Sequence, residues 1–539
     1  MLSWISMKTK LIIILWFVGF ASAFSENIVV NDIIIQRSDV FEKNDKDWFF
    51  AAPFLNFFHT KTKEYVIKDE LLFRKGSAIS EEYLLETERN LRSTGLFTNV
   101  RIELDSISTD LYDVYVLTKD RWSLYPVPKG KTGGGFSQYG ATVDENNFLG
   151  TGTKVSAEIL NRKENNIGWQ SRFELAQRRF FRTYFSLYVQ YLSNKFRNSY
   201  NFSFAKQFLS LDDNFSYGFS SDVNDGNEFI YLKDKHILTT IDEKKVDVWF
   251  SRAWSRQDRV FFSILGQYHQ ANREKPEYER AFDNCGKLLF GFSSISEDFF
   301  TVNNVNSYFY EDLIIGGWGS AILGKIFPIG SRGESYYYVA GEGEKSFYTK
   351  KLYVFARLVG ASAFKRASGY FTYQEFYGNL FYKIFDKLVL TTRIQQQTVW
   401  NWQKIRQLIL DSDIGLRGYK LYENSGDNRI ITNTEIRYFP DIPLSIFNLS
   451  FVSFADLGTV WRQETKLSKS KFLLATGAGL RLHFNKSDNP KHILRIDVAY
   501  NHQTKKFSEV IIAFEQFFSA FRNHQFKFPQ IHGLEFDGY

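Results

Sequence analysis

Between residues 133 and 518, apolar and polar side chains alternate over long stretches. In 181–191, Phe181, Thr183, Phe185, Leu187, Val189 and Tyr191 share one face, and Arg182, Tyr184, Ser186, Tyr188 and Gln190 share the other. In 246–251, Val246, Val248 and Phe250 alternate with Asp247, Trp249 and Ser251. In 493–500, Leu494, Ile496, Val498 and Tyr500 alternate with Arg495, Asp497 and Ala499. A period of two with one apolar face is the signature of half-buried antiparallel strands. Pro interrupts ladders, and between 129 and 439 only Pro276 and Pro328 occur.

Composition narrows the architecture. The chain of 539 residues holds 55 Phe, 30 Tyr and 11 Trp, yet 24% of its residues are charged and its mean hydropathy is −0.29. Aromatic richness excludes a disordered chain. Cys285 alone excludes a disulfide scaffold. After the N-terminus no run of about 20 apolar residues occurs, so a bundle of membrane helices is excluded. Segments of about ten alternating residues between Asn/Asp/Gly turns are the sequence mark of a transmembrane β-barrel. A soluble propeller would repeat about every 40–50 residues, and no such repeat is visible. The 386 residues of 133–518, at roughly 24 per strand and turn, predict about 16 strands.

The N-terminus has a different grammar. Lys8 and Lys10 precede an apolar run to Phe20, and Ala21-Ser22-Ala23 follows, the pattern of a secretory signal peptide. Residues 1–23 carry two Lys and no acid, so removing them takes the formal charge from +7 to +5. That charge is too mild to argue for nucleic acid. Beyond it, 28–35 reads as a strand. Ser80 with Glu81 and Glu82 opens an amphipathic helix that Gly95 stops, and 97–104 and 111–117 read as strands. The expected fold class is an α+β N-terminal domain followed by an all-β transmembrane barrel. Its parts are a signal peptide at 1–23, the α+β domain at 24–125, the barrel at 126–518 and a tail at 519–539.

Several short motifs then resemble, in order, the BamA-like outer-membrane assembly factors, the bacterial surface antigen superfamily. The N-terminal unit resembles a single POTRA domain through 66–73 (VIKDELLF), Gly76, 89–92 (RNLR), 95–100 (GLFTNV) with Gly95, Phe97 and Val100, and 113–116 (DVYV). Residues 118–124 (TKDRWSL) resemble the passage into the barrel, and 147–152 (NFLGTG) the turn between its first two strands. Gly415-Leu416-Arg417-Gly418-Tyr419 resembles the tip of the long sixth loop. Residues 433–437 (NTEIR), 454–461 (FADLGTVW) and 477–481 (GAGLR) resemble the strands that follow, with Asp456 and Gly458 in the second.

The resemblance implies that the loop folds into the lumen, where Arg417 meets Asp456 in a bidentate fork and Gly418 permits close approach. It implies a weak seam between the first and last barrel strands, here 134–144 and 510–518, the latter holding Phe514, Glu515, Gln516 and Phe518. Glu515 stands where many relatives have Gly, and the tail 519–539 runs past the usual terminal aromatic. The implied function is insertion or translocation of unfolded outer-membrane or secreted client proteins, from the outer membrane with the POTRA-like domain in the periplasm. The implied partners are those clients, outer-membrane lipid and other subunits of an assembly machine. A passive or gated channel, and an accessory subunit, are the competing functions.

Catalytic chemistry is not expected. Gly130-Lys131-Thr132 imitates a phosphate loop, but the required earlier Gly is Tyr125, and 133–135 reads as a flexible strand opening. The eight His show no paired helical metal spacing, so no metal, cofactor or enzyme activity is expected. Arg182, Arg495 and Asp497 read as a solvated barrel interior.

Overall fold

The computed structural model describes residues 28–40, 59–133, 135–232, 235–255, 258–330, 333–366, 368–444, 447–484 and 493–537. The signal sequence at 1–23 lies outside the described residues. The chain forms two compact units, Met1–Trp122 with Leu149–Thr151, and Ser123–Phe148 with Gly152–Tyr539.

The first unit carries β1 (Ile28–Ser38), α1 (Glu64–Lys68), β2 (Ala78–Ile79), α2 (Glu81–Ser93), β3 (Phe97–Ser108) and β4 (Leu111–Asp120). Its sheet runs β2-β1-β4-β3, with β1 parallel to β4 and β3 antiparallel to it. Glu81 and Glu82 place negative charge on the first turn of α2, where the helix dipole favours it. Leu84 and Leu91 recur on one face and pack with Val30, Phe97, Val100 and Val114. Gly76 and Gly95 sit in turns at φ +81° and +74°. The unit is a small mixed sheet with two short helices.

The second unit is a closed all-β barrel. Among the described residues it has twenty strands, which corrects the expectation of 16. The spacing assumed from sequence was too generous. The six strands from Leu124–Gly133 to Arg197–Lys206 hold ten residues each, joined by short turns. The barrel also begins earlier than 134. Its first strand is Leu124–Gly133 and its second is Phe136–Glu145, so Gly133 ends one arm of a hairpin whose other arm starts at Phe136. Residues 147–152 consequently connect the second strand to the third, Thr153–Arg162. The 181–191 pattern is only partly strand. Phe181 and Arg182 take φ +50° and +62° in a turn, and the strand is Phe185–Asn194.

Side-chain polarity is inverted relative to a water-soluble sheet. On Tyr336–Tyr348, Glu342, Glu344 and Ser346 are buried inside the barrel, while Tyr337, Val339 and Phe347 are exposed outside. On Cys285–Val302, Phe290 and Phe292 are exposed while Ser293 is buried. Polar-in and apolar-out alternation is what a lipid-embedded barrel requires. Among the described residues no helix is long and apolar enough to cross a membrane.

Candidate functional site

Strands Leu388–Trp400 and Asn428–Tyr438 are joined by the long connection 401–427. A two-residue pairing, Leu408–Ile409 with Ser425–Gly426, pinches it into a hairpin-like loop. Leu410, Leu416 and Tyr419 bury themselves against Ile431, Leu473 and Ala475 of the barrel wall, and Tyr419 donates its hydroxyl to the Leu474 carbonyl at 3.1 Å. That apolar anchor sets the depth at which Arg417 enters.

Arg417 is 0% exposed and is the hub of the interior. Its Nε and Nη2 donate to the two oxygens of Asp456 at 2.8 and 2.9 Å, and its backbone N–H donates to Asp456 at 3.2 Å. Nη1 reaches Glu435 at 2.7 Å and lies 3.6 Å from Asp497. The flat guanidinium stacks 3.5 Å from the Phe454 ring and 4.1 Å from that of Phe517. A planar fork between two rings and three carboxylates is suited to arginine and not to lysine. Burial works against the charge. The carboxylates of Asp456, Glu435 and Asp497 outweigh it and raise the guanidinium above its ordinary value.

Asp456 is itself held in place. Asn433, its cross-strand partner, donates to Asp456 and to the Gly415 carbonyl, both at 2.7 Å. Gly418 has φ +84°, and a Cβ there would lie 2.9 Å from Ala499 Cβ, so only glycine fits between loop and wall. Gly458 lies on the same strand as Asp456, where a Cβ would press on the Ile430 carbonyl and Leu410.

The network continues beyond the residues singled out from sequence. Arg437 bonds Glu435 at 2.9 Å and also the Asn306 side chain and the Phe518 carbonyl. Arg481 bonds Asp497 at 2.6 Å and Gln516 at 3.2 Å. Arg495 and Asp497 are buried in this interior, whereas Arg182 lies in a turn. Sequence reasoning missed Glu435, Arg437 and Arg481 as members. Their signal was alternation: Asn433, Glu435 and Arg437 occupy successive inward positions of one strand.

The closing strand is shorter than 510–518. It is Ile511–Phe514, which pairs with Ile493–Asn501 at four positions. Toward Leu124–Gly133 it has one register pair among the described residues, Ile512 with Thr132, beside a ten-pair ladder on that strand's other edge. Glu515, exposed and at φ +74°, takes a conformation that glycine adopts more readily, and it ends the strand. Gln516, Phe517 and Phe518 then turn inward to the charged network. Of the predicted seam residues, only Phe514 lies in the closing strand. In the first unit, Phe97 and Val100 are core and Gly76 and Gly95 are turn residues.

One cluster of potential metal ligands occurs among the described residues, Glu243, His269 and Asp283. His269 already contacts Glu243 at 2.9 Å, and Arg273 forks onto Asp283 at 2.6 and 2.8 Å. Arginine there supplies the positive charge that a cation would bring.

No protein-family model and no curated protein matches the chain. Among solved structures, BamA from Haemophilus ducreyi lacking POTRA domains 1-3 is similar at 13% identity and TM-score 0.39, covering 89% of this chain and 84% of that one. CdiB from Acinetobacter baumannii is similar at 13% identity and TM-score 0.44, covering 90% and 74%. CdiB from Escherichia coli is similar at 11% identity and TM-score 0.44, covering 90% and 76%.

Proposed function

We propose that this chain is an outer-membrane barrel that assists the insertion or translocation of client polypeptides, with its N-terminal unit acting as a POTRA-like domain in the periplasm. The observation that carries the proposal is the unequal closure of the barrel. Among the described residues, strand pairing is extensive around the wall and falls to one register pair at Ile512 and Thr132. Unpaired backbone is costly in hydrocarbon. A client strand that pairs at such a seam would satisfy its N–H and C=O groups before meeting lipid. In the N-terminal unit, β3 is a sheet edge of twelve residues with mostly exposed side chains, a surface to which an extended client can add as a strand. A passive channel fits less well, because side chains and main chain occupy the interior.

A photo-crosslinking residue at Ile512, whose side chain is exposed beside the seam, tests this. In growing cells it is expected to capture nascent outer-membrane polypeptides, while the same probe at Phe290, on the opposite side of the wall, captures few. Equal capture at both positions, or none at Ile512, would contradict the seam mechanism.

A further inference from the structure

Beyond Phe518 the described chain, to Asp537, stays inside the barrel. It crosses the lumen from one end to the other. Ser519 and Ala520 begin it at the end where Asn306 and Asn379 hold them. Asp537, the last described residue, lies at the other, where it bonds Gln407 and the Ile409 N–H of the 401–427 connection and Arg429 of the strand that follows.

Between those ends the tail follows strand Tyr336–Tyr348 in reverse. His524 meets Ser346 at 2.8 Å and Glu344 at 3.1 Å. Lys527 meets Glu344 and Glu342. The His532 N–H donates to the Tyr338 hydroxyl at 2.9 Å. The tail thus advances eight residues, 524 to 532, while the wall recedes eight, 346 to 338, which is the rise of an extended chain. Yet no residue of 519–537 is a strand. The wall grips this segment mainly through its own side chains.

The match is in register. Lys527 and His524 face Glu342 and Glu344, whereas Glu535 and Asp537 face Arg406 and Arg429. Phe526 inserts among Phe208, Phe261 and Trp318, with ring centroids 4.6–5.9 Å away.

We propose that the lumen is a recognition track for an extended polypeptide with aromatic and basic residues followed by an acidic end, and that residues 519–537 are its resident, displaceable occupant. The proposal rests on reading the barrel as a polypeptide-handling machine and adds what its interior recognises. Side-chain recognition makes the track sequence-selective, unlike the backbone pairing at the seam.

The test uses purified barrel in detergent and a fluorescent peptide of residues 519–539. A chain ending at Phe518 is expected to bind the peptide at least about tenfold more tightly than a scrambled one, as the loss of a charge-assisted contact implies. The full chain is expected to bind neither. Should the shortened chain fail to fold, the full-length Lys527→Glu variant, with its own tail weakened, is expected to accept the unmodified peptide. Locking the tail closes that route. A Cβ on Gly291 would lie 3.2 Å from Pro529 Cβ, near disulfide spacing. Gly291→Cys with Pro529→Cys, in a Cys285→Ser background, is expected to crosslink on oxidation and abolish binding in the Lys527→Glu chain. Equal affinity for scrambled and native peptides, or no gain over the full chain in either variant, would overturn the proposal. The titration involves no client, so its failure and a failure of the insertion reading are separately visible.

Discussion

Replacing Arg417 with alanine is expected to destabilise the barrel by about 3–5 kcal/mol, the cost of removing one partner from a buried ion pair. The upper end applies because Asp456, Glu435 and Asp497 all face this guanidinium. Arg437 and Arg481 remain near Glu435 and Asp497, so Asp456 is left worst compensated. Arg417→Lys keeps the charge but cannot fork onto Asp456 or lie flat between Phe454 and Phe517, so it falls between wild type and alanine. Asp456→Asn keeps the shape and loses about 1.5–3 kcal/mol, the worth of hydrogen bonds to a charged group. The wall ladders do not depend on this contact, so the barrel persists while the 401–427 loop loosens. Urea unfolding in detergent measures the first effect, and limited proteolysis of the loop measures the second. Wild-type midpoints and an equally protected loop in Arg417→Ala would show that the contact holds nothing.

Deleting the chain beyond Phe518 is expected to raise single-channel conductance by an order of magnitude or more. Barrel diameter grows with strand number, and barrels of 16 to 18 strands already leave an aqueous channel. Twenty strands therefore enclose more space than the wall side chains fill. The tail supplies Phe521, Phe526 and Phe528 to that space, each against wall aromatics. The deletion keeps Phe517 on Arg417 and the Phe518 carbonyl on Arg437. Arg417 and Arg437 therefore keep these partners, and the space that the tail fills is emptied. Planar-bilayer recordings of full and shortened chains give the comparison. Equal conductance would mean that the loop alone seals the barrel or that the tail lies elsewhere.

The alternation of apolar and polar residues made the barrel legible, because a strand with one face to lipid and one to a polar interior repeats every two residues. It did not set the strand count, which depends on turn lengths that a period cannot reveal. The partners Arg417 and Asp456 came from motifs resembling a known family, not from periodicity, since they lie 39 residues apart on different elements. Glu435 and Arg437 were visible as inward positions but had no mark distinguishing them from solvated charges. The tail was least legible. Its contacts reach residues far back along the chain, as Phe526 on Phe208 and Phe261 and Phe528 on Trp249, and most are made by side chains, so no local pattern announces them. The positive φ at Glu515, which ends the closing strand, was marked only by the Gly that many resembling proteins carry there, because the residue itself is not glycine.

The proposed role is work on other polypeptides of the outer membrane. Depletion in growing cells, followed by quantitative outer-membrane proteomics, tests it most directly. A selective fall in one or more other barrel or surface proteins before growth changes is the expected result. Unchanged levels of every such protein would contradict it.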